Sequence, residues 1–359
     1  VTCLKASGLR YRYPGSAGHE SDLGPFDLVV HPGERVVIAG PSGGGKSTLL
    51  RLLAGIFAHS GAGEIGGSLL IGGDDPSRWA PADRPRRVAF VPQEPGDAIV
   101  SDTVGAEVSF VLRHRPDAAE RVAAALAAAG LDVDADRSTA SLSGGQTQRL
   151  AVAAALAAGA PWVFLDEPLA WLDAAAARHL LDQLHHVAAG GAAVVLAEHR
   201  LELLGGWPTR LVLVVGGRIC WDGPASEAPA AALIAAGVAP WSGRLDPEAW
   251  PDPPVVSPDP VGAVVFEDVV RGVQGSFSTE SIPLVLRAGE RVAVLGPSGA
   301  GKSTWLAAVA ADRSDVALVP QDPDLTLFCE TVADELRFSA DERGGVQVDP
   351  GEIGLTGRG

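Results

Sequence analysis

The sequence predicts an α/β fold, a mostly parallel sheet with helices on both faces. Three short apolar runs carry that prediction: residues 36–39 (VVIA), 162–165 (WVFL) and 193–196 (AVVL). Each is unbroken rather than alternating, as expected of a strand buried on both faces. Each ends in glycine or in polar residues, and helical stretches separate them. Polar residues at the ends of parallel strands gather along one rim, where such sheets hold ligands.

The first run enters a glycine-rich loop, and the apolar helical pattern of residues 48–54 follows, giving strand, loop, helix. The second run ends at Asp166-Glu167 and the third at Glu198-His199. A segment from about residue 61 to 86 reads as a β-rich arm of the same unit.

The chain has 359 residues, 47% hydrophobic and 20% charged, enough to bury sizeable cores in two or three domains. A net charge of −16 argues against sequence-independent nucleic-acid binding, which needs clustered cations. Of 28 basic residues only Lys5, Lys46 and Lys302 are lysine, so each is a place to look. Cys3, Cys220 and Cys329 form no CxxC pair and read as small hydrophobes in a reducing compartment. No signal-peptide core and no apolar run of about 18 residues is present, so work at a membrane requires a partner that crosses it.

The chain repeats itself. VVIAGPSGGGKSTLL (36–50) returns as VAVLGPSGAGKSTWL (292–306), and the block at 90–110 returns at 318–338. The paired lysines lie 256 residues apart and the paired glutamines, Gln93 and Gln321, 228 apart. The second copy is therefore 28 residues shorter between the blocks, a contraction expected to remove the β-rich arm. Expected domains are 1–240, a proline-rich linker at 241–262, and a partial second domain at 263–359. Residues 240–260 hold seven prolines and read as an extended linker, with an ordered surface loop as the alternative.

Gly40-Pro41-Ser42-Gly43-Gly44-Gly45-Lys46-Ser47 fits GxxxxGK[ST], the phosphate loop of P-loop NTPases, and Thr48 follows it. Glycines let backbone N–H groups turn inward, and the helix that follows adds its dipole, so phosphates meet fixed donors. Lys46 would place a point charge on the β- and γ-phosphates and Ser47 would ligate Mg²⁺. The second copy repeats Gly296, Ser298, Gly299, Gly301, Lys302, Ser303 and Thr304, with Ser303 as the corresponding metal ligand. Downstream of such a loop, Asp166 reads as the carboxylate that holds Mg²⁺ through its water shell. Glu167 reads as the one that polarises the attacking water.

Leu142-Ser143-Gly144-Gly145-Gln146 stands between the phosphate loop and the Asp-Glu pair. With that LSGGQ signature, residues 4–235 resemble the nucleotide-binding domain of ABC-transporter ATPases. The resemblance implies ATP and Mg²⁺ as cofactors, a helical signature subdomain, and tandem ABC domains of which the second is incomplete. It matches Tyr13 to the adenine-stacking aromatic and Gln93 to the glutamine that senses Mg²⁺ and water. It also matches Glu167 to the catalytic base, His199 to the switch histidine and Asp173 to the loop aspartate after the catalytic pair. Ser143, Gly144, Gly145 and Gln146 would meet ATP held by an opposing domain, and Gln321 repeats the role of Gln93. Trp171 departs from the small residue usual before Leu172-Asp173.

A finer resemblance rests on Gln93-Glu94-Pro95, Thr103-Val104, Glu107-Val108 and Phe110, repeated as Gln321-Asp322-Pro323, Thr331-Val332, Glu335-Leu336 and Phe338. These frames, with Glu198-His199-Arg200-Leu201-Glu202, are similar to the energy-coupling-factor ATPases that power import of vitamins and of nickel or cobalt ions. The resemblance implies a transmembrane coupling subunit, a substrate-capture subunit and another ABC domain as partners. It implies a cytoplasmic location, peripheral on the inner face of the cell membrane, and the acidic charge implies no nucleic acid as partner. A second signature, catalytic pair and switch histidine are expected beyond residue 359. The chain therefore reads either as a truncated form of a longer gene or as one that pairs with another intact copy. Rival readings are a soluble two-domain ABC protein on ribosomes and a nucleotide-binding chain without turnover; the proline-rich linker and acidity weigh against the first.

Overall fold

The computed structural model describes residues 2–14, 23–57, 63–112 and 117–239. Beyond these it describes 264–266, 284–286, 292–294, 302–311, 316, 318–319, 329 and 334–335. The chain divides into two units, Val1–Asp252 and Pro253–Gly359.

The first unit opens with strands β1 (Leu4–Arg12), β2 (Leu23–Val30) and β3 (Arg35–Ala39), then helix α1 (Lys46–Leu53) and β4 (Glu64–Ile71). A short α2 (Arg84–Arg87) leads into β5 (Val88–Val91), α3 (Val104–Phe110), α4 (Ala118–Ala128) and α5 (Gly144–Ala157). Next come β6 (Trp162–Asp166), α6 (Ala174–Ala189), β7 (Ala193–Ala197), β8 (Arg210–Val215), β9 (Arg218–Pro224) and α7 (Ala230–Ala235).

The central sheet has the order β5-β6-β7-β3-β8-β9, parallel throughout except for the hairpin β8–β9. The three apolar runs are three of its four interior strands, β3, β6 and β7. Side-chain alternation divides them between two cores. Val36, Ile38, Phe164 and Val195 pack with α1 and with the smaller antiparallel sheet β2-β1-β4. Val37, Val163, Leu165, Val194 and Leu196 pack on the other face with α5 and α6. Both faces are covered, which is why the runs carry no polar residue. A third core joins α3, α4 and α5 through Val104, Val108, Leu126 and Leu150, a helical subdomain set beside the sheet.

The arm expected at 61–86 takes shape over residues 63–87 as β4, which pairs with β1, followed by helical turns. Cys220 differs from the small-hydrophobe reading: β9 alternates exposed and half-buried residues, and Cys220 falls on the exposed face. Gly40 ends β3 where the chain passes close to β8: a Cβ there would lie 2.0 Å from the Val214 carbonyl oxygen. Gly40→Ala is expected to cost about 3 kcal/mol of stability, since backbone must move to relieve the clash. Thermal melts of the two chains check it.

In the second unit β10 (Val264–Phe266) pairs antiparallel with β11 (Leu284–Leu286), and α8 spans Lys302–Ala311. Lys302, Ser303 and Thr304 form the first turn of α8, as Lys46, Ser47 and Thr48 do in α1. Gly296, Ser298, Gly299, Gly301, Gln321 and the linker at 241–262 lie outside the described residues. One detail recurs in both units. Glu107 Oε2 accepts the N–H of Ser101 at 2.8 Å, and Glu335 Oε2 accepts the N–H of Cys329, 228 residues on, at 2.8 Å. Among the described residues no helix is long and apolar enough to cross a membrane.

Candidate functional site

The parallel strands end along one rim. There Tyr13, Leu23, Ser42–Thr48, Gln93, Glu167, Gly216 and Gly217 line a cleft of about 490 Å³, within the range of small-molecule sites. The glycine loop owes its shape to Gly43 and Gly45, which take positive φ of 72° and 99°. Gly44 donates its N–H to the Pro41 carbonyl at 3.0 Å, and α1 starts at Lys46 directly after Gly45. Lys46 is only 4% exposed, its Nζ donating to the Pro41 carbonyl at 2.9 Å. A buried ammonium at a helix start, beside a glycine loop, suits an anion.

Asp166 and His199 do not line the cleft but touch residues that do, Ser47 and Glu167. Asp166 is fully buried at the end of β6, and Ser47 Oγ donates to its Oδ1 at 2.9 Å. Its Oδ2 makes no hydrogen bond, with Arg51 Nη2 4.0 Å away. Burial pushes the Asp166 carboxyl above the usual range, against the opposing pull of the Ser47 hydrogen bond and of Arg51. A carboxyl raised in the folded state binds protons the unfolded chain has already released, so its ionisation lowers stability as pH rises. Asp166→Asn is therefore expected to melt higher than the parent near pH 8, with the gap narrowing as pH falls towards about 4, the ordinary carboxylate value. An equal gap at both pH values would contradict this.

Glu167 follows at φ 45°, alone among the described non-glycine residues in the left-handed region. Its N–H is held by the Ala197 carbonyl at 2.9 Å. That tie turns its carboxylate into the cleft, where Oε1 lies 3.2 Å from His199 Nδ1. Backbone held in so rare a conformation for a side-chain-bearing residue points to a functional constraint. Gln93 is exposed after β5 and also lines the cleft.

Tyr13 stands at the cleft mouth, 40% exposed. Its hydroxyl is 2.5 Å from Thr48 Oγ1, and its ring meets Tyr11 edge-on at 5.0 Å.

Sequence reading did not place Leu23 or the Gly216-Gly217 turn in the cleft. Gly217 donates to the Gly44 carbonyl at 3.0 Å and accepts from the Gly24 N–H at 2.8 Å, so the β8–β9 turn buttresses the glycine loop. A glycine pair between two apolar strands signals a hairpin, but nothing local says what that hairpin touches.

Ser143–Gln146 are absent from the residues that line this cleft. They open α5 as a capping box: Ser143 Oγ accepts from the Gln146 N–H, and Gln146 Oε1 accepts from the Ser143 N–H at 3.0 Å. Gly144 is exposed and the Trp171 ring packs on it, 3.0 Å from where a Cβ would sit. Asp173 caps α6, accepting from the Ala175 and Ala176 N–H groups at 3.1 and 2.9 Å.

The chain matches the ABC transporter family model over residues 23–170. It is 38% identical to the cobalt import ATP-binding protein CbiO of Rhodobacter capsulatus, over 62% of this chain and 79% of that one. It is 29% identical to a provisionally named ABC transporter ATP-binding protein of Methanosarcina mazei, over 94% of this chain and 70% of that one. Among solved structures, cbiO1 from Clostridium perfringens, part of the ABC transporter complex cbiONQ, superposes with a TM-score of 0.53 at 26% identity. That match covers 62% of this chain and 88% of that one. The chain spans between 35% and 79% of the length of the curated relatives it matches. The chain belongs to the ABC transporter family, among its ATP-binding proteins.

Proposed function

We propose that the chain is the ATP-hydrolysing subunit of an importer of the energy-coupling-factor type, moving a transition-metal ion or a vitamin. The observation that carries the hydrolytic part is the convergence on one rim of Lys46, the Ser47–Asp166 hydrogen bond and the Glu167–His199 pair. The β- and γ-phosphates of ATP occupy the glycine loop, with Lys46 moving its donor from Pro41 to phosphate oxygen. Tyr13 at the mouth stacks on the base. Glu167 accepts the proton of the attacking water, Gln93 orients that water, and His199 contacts the γ-phosphate.

Ser47 Oγ and Asp166 supply the hard oxygen donors that Mg²⁺ takes, and the unbonded Asp166 Oδ2 is an acceptor awaiting such a partner. A cation held there would neutralise negative charge on the phosphates.

Ser143–Gln146, set apart from the cleft, serve the ATP of an opposing domain. The corresponding site in the second unit would use Lys302, Ser303 and Gln321. The import reading is supported by the likeness to the cobalt import protein. The large apolar Val100 and Phe110, 69% and 50% exposed on the segment after Gln93, suit contact with a membrane subunit. On this reading the chain lies on the cytoplasmic face of the membrane. Co-expression with membrane proteins encoded beside its gene tests it: a detergent-stable complex and ATP-dependent cobalt or nickel uptake are expected. Recovery on ribosomes instead would overturn it.

A further inference from the structure

Five polar or charged side chains are buried among the described residues: Lys46, Glu107, Gln148, Asp166 and Glu198. Lys46 and Asp166 belong to the cleft, and Glu107 holds the N–H groups of Val100 and Ser101. Glu198 has no role in the scheme above. It is fully buried at the end of β7, and burial pushes its carboxyl above the usual range. Its Oε1 accepts the N–H groups of His199 and Arg200 at 2.9 and 3.0 Å, and lies 3.5 Å from His199 Nδ1. Its Oε2 makes no hydrogen bond, and Arg200 Nε stands 3.9 Å from Oε1.

A neutral oxygen would cap those two N–H groups as well, without the cost of burying a charge that is only half satisfied. Arg200, 3.9 Å away, is one partner for that charge, and His199, 3.5 Å away, is the other. We propose that Glu198 is a positioning residue for His199. Its carboxylate fixes the turn that carries the imidazole and, with Glu167, sets two carboxylate oxygens 3.5 and 3.2 Å from Nδ1, a buried atom that makes no hydrogen bond. The negative potential there favours the proton on Nδ1 and leaves Nε2 as the nitrogen that meets substrate. The catalytic consequence rests on the function proposed above, whereas the ring geometry does not.

Glu198→Gln separates this from a structural role, because the amide oxygen still caps the turn while the charge is gone. In the full chain with ¹⁵N-labelled histidine, the His199 ring, assigned with His199→Gln, is expected to be the Nδ1–H tautomer in the parent at pH 8.5. In Glu198→Gln it is expected to shift towards Nε2–H, with the thermal midpoint unchanged or raised. Turnover should fall roughly tenfold with the ATP KM unchanged within about twofold, the size of a lost orientation. That loss should vanish in a His199→Ala background. An unmoved His199 signal in Glu198→Gln, or an equal further loss of turnover on top of His199→Ala, would overturn the proposal. If the parent itself turns over no ATP, the hydrolytic reading fails and the tautomer alone decides the role of Glu198.

Discussion

A Glu167→Gln chain is expected to bind ATP at least as tightly as the parent and to hydrolyse it 100-fold or more slowly. The size follows from the loss of a positioned general base, which contributes roughly 10²–10⁴ in rate. The amide keeps the shape of the carboxylate, and Glu167 is already fixed through its main-chain bond to Ala197, so the cleft should not rearrange. Removing a negative charge that faces the γ-phosphate lowers repulsion in the ground state, so affinity should not fall. Nucleotide binding and single-turnover phosphate release, measured on parent and variant prepared alike, check both halves. A variant that releases phosphate at the parent rate would remove Glu167 from the chemistry. Weakened binding instead would recast it as part of the nucleotide cradle.

How far such a prediction was already legible depends on which physics the sequence exposes. The interior strands β3, β6 and β7 are readable because full burial forces unbroken apolar runs, and the residue that ends each run must then be the one at the rim. Asp166 and Glu167 are placed that way, whereas Lys46 is read from the glycine-loop pattern after β3 and His199 from the family resemblance. The antiparallel sheet β2-β1-β4 is much less so. Residues of β4 such as Ile65 and Leu70 are exposed, and its strand character comes from pairing with β1 some sixty residues away. The Gly216-Gly217 buttress and the φ of Glu167 are likewise tertiary facts. The first needs the hairpin to be laid against the glycine loop. The second needs the Ala197 carbonyl brought to the Glu167 N–H by the β6–β7 register. Glu198 shows a different limit. Its identity was in plain view beside His199, but a glutamate after an apolar strand reads as a solvated strand end. Only its burial and the two N–H groups on Oε1 mark it as something else. Glu107 and Glu335 are the opposite case, where the repeat aligned them and the same N–H contact recurs at both.

Lys46→Arg, which keeps the charge, is expected to weaken ATP binding by roughly 10- to 100-fold, the range spanned by one lost charge-assisted hydrogen bond. Of 28 basic residues in the chain, 25 are arginine, so arginine serves at nearly every position where a cation is enough. At Lys46 it is not. The side chain is 4% exposed, and its single nitrogen fits within bonding distance of the Pro41 carbonyl, inside the turn made by Gly43 and Gly45. A guanidinium is planar, wider, and carries five N–H donors, most of which would find no acceptor in that turn. Either the loop opens to admit it, displacing the amides that face phosphate, or the group leaves the loop and its charge is spent in solvent. Both routes reduce affinity and turnover together. Lys5→Arg is the control, since Lys5 lies exposed on β1 away from the cleft and should leave both unchanged. Titration of ATP into the three chains, followed by turnover at saturating ATP, separates the cases. If Lys46→Arg binds and hydrolyses ATP as the parent does, the glycine loop is not where the phosphates sit. The roles given to Ser47, Asp166 and Glu167 would then fall with it.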